Sequence, residues 1–442
     1  MQSTQPPSIL LVAGALPFVG LLLSIALLPA MAPRFWVRRM GWVALGWSLL
    51  LVVPLAVTEG PVAAWRLTWH AVLIDYLPFI ALLGGLYTAS GGVLLRGGPG
   101  GTPAGNTAML ALGMILGLVM GTTGAAMVLI HPLLRSNAHR RNKKHLVLFL
   151  IVLVANASGM LTPLGNPPLF VGYLRGVPFL WPARALLAPY LVVTGVLLAG
   201  FWLLDRRLAS HEPPAPPITR LRIRGWSNLI LVLLLGLSVL QQSLALPEID
   251  LLGQSVGTGR LAGIAVAAAI AILSLLTTPR AVRQANDFSW HPMAEVAVLF
   301  AGIFVTLAPV SHMLQQGADG PLAGMLRLTE DAAGNANPLA FFWLAGLLSA
   351  FLDNAPTYLV FFDLAGIRPD HLTGQSGATL AAISAGAVLF GGLTYIGNAP
   401  NLMLRAIASH RGVRMPGFLG YLVLASALLL PVFLLLSALF FR

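Results

Sequence analysis

The sequence predicts an all-α polytopic membrane protein, built as two inverted repeats of five spans plus one re-entrant hairpin each. Three observations carry that expectation. Of 442 residues, 57% are hydrophobic and 9% charged, whereas a soluble domain carries about a quarter charged residues. Apolar runs near the ~20 residues that a helix needs to cross ~30 Å of hydrocarbon recur along the chain. The basic residues gather in alternate loops between those runs, as the positive-inside rule requires.

The remaining composition excludes several classes. Gly (46) and Pro (32) are frequent, and membrane helices tolerate both. The absence of Cys excludes disulfides, thiolate metal sites and cysteine nucleophiles. The net charge of +12 lies in short loops, so it reads as a topology signal and no nucleic-acid partner is expected. No basic segment precedes the first apolar run after Met1–Pro7, so the first helix is expected to be a retained span.

In order, the predicted spans are Ile9–Pro29, Gly41–Val57, Val72–Leu95, Leu146–Leu164, Leu186–Leu204, Ser227–Leu246, Leu261–Leu276, Ala294–Leu314, Ala378–Ile396 and Phe418–Phe441. Two longer apolar stretches are interrupted, 108–134 at Gly121-Thr122-Thr123-Gly124 and 338–365 at Asp353-Asn354-Ala355-Pro356. Each has the length of two half-helices, so each is read as a re-entrant hairpin sheltered by protein or a wet cavity. With both termini outside, this topology leaves only Arg66, Arg175, Arg184, Arg260, Arg327, Arg368 and Arg442 of the 26 Lys and Arg on the outer side. A single crossing at either interrupted stretch would scatter that bias.

Two halves of opposite orientation follow. Residues 1–208 form the first repeat (hairpin 108–134, broken helix 146–168), and residues 226–442 the second (hairpin 338–365, broken helix 378–400). A polar linker rich in Pro and Arg, 209–225, joins them on the cytoplasmic side. Residues 159–168 align without gaps to 391–400, sharing Thr-x-[Leu/Ile]-Gly-Asn-x-Pro. The tails Arg175-Gly176-Val177 and Arg411-Gly412-Val413 also match, and the hairpins align with Thr123-Gly124-Ala125 against Asp353-Asn354-Ala355. Interrupted hydrophobic segments at corresponding places in two halves mark a transporter's site.

Asp353 is the first candidate. A carboxylate at membrane depth costs at least ~2.5 kcal/mol, so it faces a cavity or a partner. It can hold Na⁺ with the aid of freed carbonyls and exchange it for a proton, or simply cap the second half-helix. Asn354 lies beside it and Thr357 just beyond. Asn166 and Asn398, with Thr162, Thr394, Gly165 and Gly397, lie where Gly and Pro should unwind the helix and free polar groups. Thr122 and Thr123 occupy the first hairpin tip, and Asn156 and Ser158 lead into Asn166. Asp75 and Glu295 near Trp-His pairs read as interfacial anchors, Asp363 as solvated or functional, and His131 as a packed or interfacial histidine. No His-Glu-x-x-His, Gly-x-Ser-x-Gly or Walker A motif is present, and no enzyme or cofactor is expected beyond Na⁺ and H⁺ as coupling ions.

Leu-Gly-Asn-Pro-Pro at 164–168, Leu-Asp-Asn-Ala-Pro-Thr at 352–357 and Ile-Gly-Asn-Ala-Pro at 396–400 together resemble the ion transporter superfamily. It includes sodium/proton antiporters of the NhaD type, arsenite efflux permeases, citrate–metal transporters and divalent anion/sodium symporters. The resemblance implies that both hairpin tips and both broken helices enclose substrate and coupling ions, here Thr122–Ala125, Asn156–Asn166, Asp353–Thr357 and Thr394–Asn398. It also implies a homodimer with an elevator-like movement of the hairpin domain. Thr122-Thr123-Gly124 replaces the Asn-Asp-Gly of arsenite permeases, and the Ser-Asn-Thr signatures of the divalent anion symporters are missing. The expected function is therefore sodium/proton antiport through Asp353 in a bacterial cytoplasmic membrane. The alternatives are a proton- or sodium-coupled citrate or organic-anion carrier and, further off, an arsenite permease. A membrane scaffold is the non-transport rival.

Overall fold

A computed structural model describes residues 8–98, 100–214, 219–241, 247–316, 320–331 and 333–442. The first seven residues, the centre of the linker and the end of the span at 227–246 lie outside the described residues. Among the described residues, nine helices are long and apolar enough to cross a membrane. The chain is an all-α polytopic membrane protein.

The first half runs α1 (Ser8–Met31), α2 (Pro33–Thr58), α3 (Pro61–Ser90), β1 (Leu94–Gly98), α4 (Pro103–Ser136), α5 (Lys144–Leu161), α6 (Pro167–Leu174) and α7 (Trp181–Ala209). After β2 (Thr219–Arg224), the second half runs α8 (Ser227–Gln241), β3 (Glu248–Leu251), β4 (Gln254–Gly257), α9 (Thr258–Thr277), α10 (Arg280–Ala285), α11 (His291–Gln315) and α12 (Ala323–Arg327). It ends with α13 (Pro338–Phe351), α14 (Asn354–Leu364), α15 (Gly374–Phe390), α16 (Ala399–His410) and α17 (Phe418–Phe440). Burial separates lipid-facing from central helices. The apolar window of α5 is 89% buried, whereas that of α2 is 11% buried. Their mean hydropathies are close, so position in the bundle distinguishes them.

Both interrupted stretches fold back on themselves. In α4 the backbone leaves helical geometry at Gly121 (φ 76°, ψ 154°), a region essentially confined to glycine. A Cβ on Gly113 would meet Leu129 Cδ1 at 2.4 Å, although sixteen residues of straight helix would separate them by ~24 Å. In the second stretch, α13 and α14 part at Leu352-Asp353, and Phe341 packs edge-on against Phe361 with ring centroids 6.2 Å apart.

Two local expectations need correction. The span expected to reach Leu95 ends at Ser90, because Gly91 and Gly92 break the helix and Leu94–Gly98 forms a strand. That strand pairs antiparallel with Thr219–Arg224, so part of the expected linker 209–225 is ordered β structure. β1 buries Leu94 and Leu95, whereas Arg222, Ile223 and Arg224 on β2 are exposed. A second small hairpin, Glu248–Gly257, follows α8, and Trp69 Nε1 donates to its Leu251 carbonyl at 2.9 Å. These ribbons cover helix ends and leave the architecture helical.

Candidate transport site

The two broken helices repeat one backbone device. Thr162 Oγ1 donates to Leu118 O on the first arm of α4, and Thr394 Oγ1 donates to Ala350 O on α13. Each bond spans 44 residues of sequence. The same hydroxyls accept from Gly165 N and Gly397 N, both at 3.0 Å. Gly165 then lies against Gly159, and Gly397 against Gly391, so closely that a Cβ at either would approach backbone atoms at 2.6–2.8 Å. Only glycine allows this approach. Thr162 and Thr394 therefore hold the breaks in place, and their hydroxyls are committed to backbone.

This geometry also shifts the expected register of the tips. Pairing Leu118 with Ala350 sets Gly121 opposite Asp353 and Thr122 opposite Asn354, two residues from the match at Thr123. The shift has a physical cause. The tip of α4 turns through a left-handed glycine, whereas Asp353 turns its tip with φ −57° and caps α14 with its carboxylate, Ala355 N donating at 3.3 Å.

Two buried amide clusters bring the halves together. Asn354 Nδ2 donates to Asn166 Oδ1 at 2.9 Å, which joins the N-terminal end of α14 to that of α6. Asn166 Nδ2 and Asn354 Oδ1 are both buried with no protein partner. An orphaned donor beside an orphaned acceptor is costly in a protein interior unless water or a ligand completes it. In the second cluster, Asn398 Nδ2 donates to Ala155 O at 2.9 Å and to Asn156 Oδ1 at 3.1 Å. Asn156 Nδ2 donates in turn to Ile151 O and to Asn401 Oδ1 at 2.9 Å. Asn401 Nδ2 closes the set on Gly391 O and Thr394 O. Asn401 was not anticipated. It lies one turn beyond Asn398, where the segment after Asn166 has Leu169, so matching the two segments hid it.

The other candidates divide. Thr122 N donates to Gly165 O at 2.9 Å, fixing the tip of α4 on the first break, and Thr123 is half-buried beside it. Ser158 Oγ donates to Val154 O and packs against Gly117, and Thr357 Oγ1 donates to Asp353 O, so both hydroxyls are spent locally. Asp363 is buried rather than solvated, with Arg175 Nη1 at 3.3 Å. Asp75 lies 3.9 Å from Arg175 Nε. His131 is buried, with Asp287 at 3.8 Å.

Two cavities meet at these tips. A small one, about 60 Å³, touches Gly121, Thr122, Thr123, Gly165 and Asn166. A larger one, about 440 Å³, runs from Asp353 past Ala399 and Glu295 to Asp287, His291 and His410. They share walls at Tyr87, Pro292, Val296, Ala399 and Met403. Asp353 and Thr123 thus face adjoining spaces. Among the lining residues of both cavities there is no Lys or Arg, while Asp353, Asp287 and Glu295 line the larger one.

Unwound segments with buried amides, set between folded-back helix pairs, are an arrangement that membrane transporters use. The comparison with known families makes the assignment specific. Residues 8–441 match the family model CitMHS_2, described as "Putative citrate transport", and the chain belongs to that family. It is also 25% identical over 294 residues to the uncharacterized transporter slr0753 of Synechocystis sp., covering 60% of this chain and 61% of that protein. The chain therefore spans about three-fifths of that relative's length. Membership places the chain in a family of membrane transport proteins, and its long apolar helices make it an integral membrane protein.

Proposed function

We propose that the protein exchanges Na⁺ for H⁺, with Asp353 carrying each in turn. The observation that supports this most is the larger cavity. It runs from a helix-capping carboxylate, holds Glu295 and the Arg411-paired Asp287 as further acids, and has no Lys or Arg in its own lining. Such a wall attracts cations and repels a multiply charged anion. Asn354 Oδ1, buried and unpaired beside Asp353, adds a neutral oxygen. In the same reading, residues 1–208 and 226–442 are inverted repeats and both folded-back pairs re-enter the membrane. The paired threonine bonds of equal span support the repeat. The rule for basic loops then puts Asp287 and His410 on the cytoplasmic side.

One observation favours a second reading, coupled transport of citrate or a similar organic anion. Asn166 Nδ2 is an unpaired donor at the N-terminal end of α6, and helix N-termini attract carboxylates. The family description points the same way.

Purified protein in liposomes separates the readings. An imposed Na⁺ gradient is expected to drive proton movement, read by an internal pH dye, with no need for citrate. Accumulation of labelled citrate without sodium-driven proton movement would establish the second reading. Neither flux would refute both.

A further inference from the structure

Arg175 and Arg411 occupy the same place in their respective halves. Each closes the helix after a break, and the following Gly176 and Gly412 take φ of 96° and 76°. Around each, the same backbone bonds recur, Val177 N to Gly172 O and Val413 N to Ala408 O among them. Each arginine reaches an acid on a different part of the bundle. Arg175 Nη1 is 3.3 Å from Asp363 on α14, and its Nε is 3.9 Å from Asp75 on α3. Arg411 Nη2 is 3.3 Å from Asp287, which lies between α10 and α11, and His131 on α4 approaches the same carboxylate oxygen at 3.8 Å.

These clusters lie at opposite ends of the molecule. Helix α9 serves as the ruler, since its 20 residues span ~30 Å. Arg260 at its start donates to Leu174 O, next to Arg175. Beyond its other end, Asn286 next to Asp287 donates to Gly91 O and Val93 O. The two ends are in different states. Asp75 and Asp363 are 14% and 4% exposed and Arg175 is 25% exposed, whereas Arg411 and Asp287 are 43% and 49% exposed. The cavity from Asp353 opens towards Asp287, and neither Arg175 nor its acids line it. Arg175 and Asp75 line a separate cavity of about 270 Å³ that Asp353 does not reach, so the site is closed towards the sheltered pair and open towards the exposed one.

We infer that Arg175–Asp75 and Arg411–Asp287 are alternating latches between the helices that carry the site and the helices that surround it. Each arginine is anchored one short helix from a break and therefore moves with the site. Each acceptor, Asp75 or Asp287, sits on a helix or loop outside the broken-helix pair. A shift that opens the Arg175 end must part Arg175 from Asp75, and it can bury Arg411 against Asp287. An ion pair strengthens as water leaves it, so whichever end closes is held by its own pair. Alternating access needs two such states of similar energy.

The test does not depend on which solute is carried, so its failure is distinguishable from failure of the exchange reading. The chain has no cysteine, and Met403, which lines both cavities, is replaced by Cys as the only thiol. A membrane-impermeant maleimide is applied to vesicles of each orientation. Asp75→Asn is expected to slow labelling from the Arg411 side about fivefold, the low end of a typical coupling, and to speed it from the other side. Asp287→Asn is expected to shift both rates the opposite way, and Asp75→Glu to restore the parent rates. Rates that stay unchanged in both variants, or that move in the same direction, overturn the proposal. Should Asp75→Asn not reach the membrane, Asp287→Asn decides alone: an unchanged rate from the Arg411 side refutes the latch.

Discussion

Replacing Asp353 by Asn is expected to leave the protein folded and in the membrane while sodium-driven proton movement falls to the level of empty liposomes. The two possible roles of Asp353 separate in this variant. As a helix cap, Asp353 accepts from Ala355 N, and Asn caps about as well. Asn keeps the acceptor oxygen and the shape of the tip, so the thermal unfolding midpoint in detergent should stay close to wild type. What Asn removes is the charge that faces the larger cavity. Without it, the tip has no group there that can hold a cation and release it on taking up a proton. Asp353→Ala should lose transport as well, and additionally about 1 kcal/mol of stability through the lost cap. Unfolding curves and proton flux measured on the same preparations distinguish a structural cap from a transport group. If Asp353→Asn retains flux, Asp353 is only a cap.

The largest loss of stability is expected at Asp205. Its carboxylate is fully buried and receives Arg140 Nη1 at one oxygen, with His145 Nε2 at 2.8 Å from the same atom. Asn106 Nδ2 donates to the other oxygen at 2.9 Å. Asn106 and Asn137 also exchange amide bonds at 3.0 and 2.7 Å, and Arg140 Nη2 donates to Gly101 O. Asn106 lies near the start of α4, Asn137 just past its end, and Asp205 on α7. The network therefore ties together the open end of the first folded-back pair. Asp205→Leu would strand the buried Arg140 charge, and breaking such a pair from one side costs about 3–5 kcal/mol. A large drop in the unfolding midpoint is expected, together with faster proteolysis between residues 98 and 145. The exposed Arg411–Asp287 pair should contribute far less to stability, about 1 kcal/mol or below.

The contrast between these two acids shows what could be read from sequence. Asp353 stood out because hydrophobic residues surround it and Asn and Pro follow it in a stretch long enough for two half-helices. Likewise, Thr-x-[Leu/Ile]-Gly-Asn-x-Pro carries the physics of its own break: a threonine cap, a close glycine and a missing backbone donor. The apolar runs identified the class for the same reason, since bilayer thickness dictates their length. Asp205 gave no such signal. It sits before Arg206 and Arg207 at the end of a span, where charge ordinarily meets water. Its partners at 106, 140 and 145 converge only once the first folded-back pair closes. Asn401 was hidden by the alignment of 159–168 with 391–400, because Asn156 and Asn401 pair with each other while the positions that align with them, Val388 and Leu169, are apolar. The strand at 94–98 depended on a partner more than a hundred residues away. Long-range pairing of that kind leaves no local period to detect.

Proton release on sodium binding tests the central claim most directly. In weakly buffered detergent solution, adding NaCl to the wild-type protein should acidify the medium, because Na⁺ displaces a proton from Asp353. Choline chloride should not, and Asp353→Asn should give no release with either salt. Acidification that persists in Asp353→Asn, or its absence in a folded wild-type protein, would contradict the assignment of Asp353 as the shared site for cation and proton.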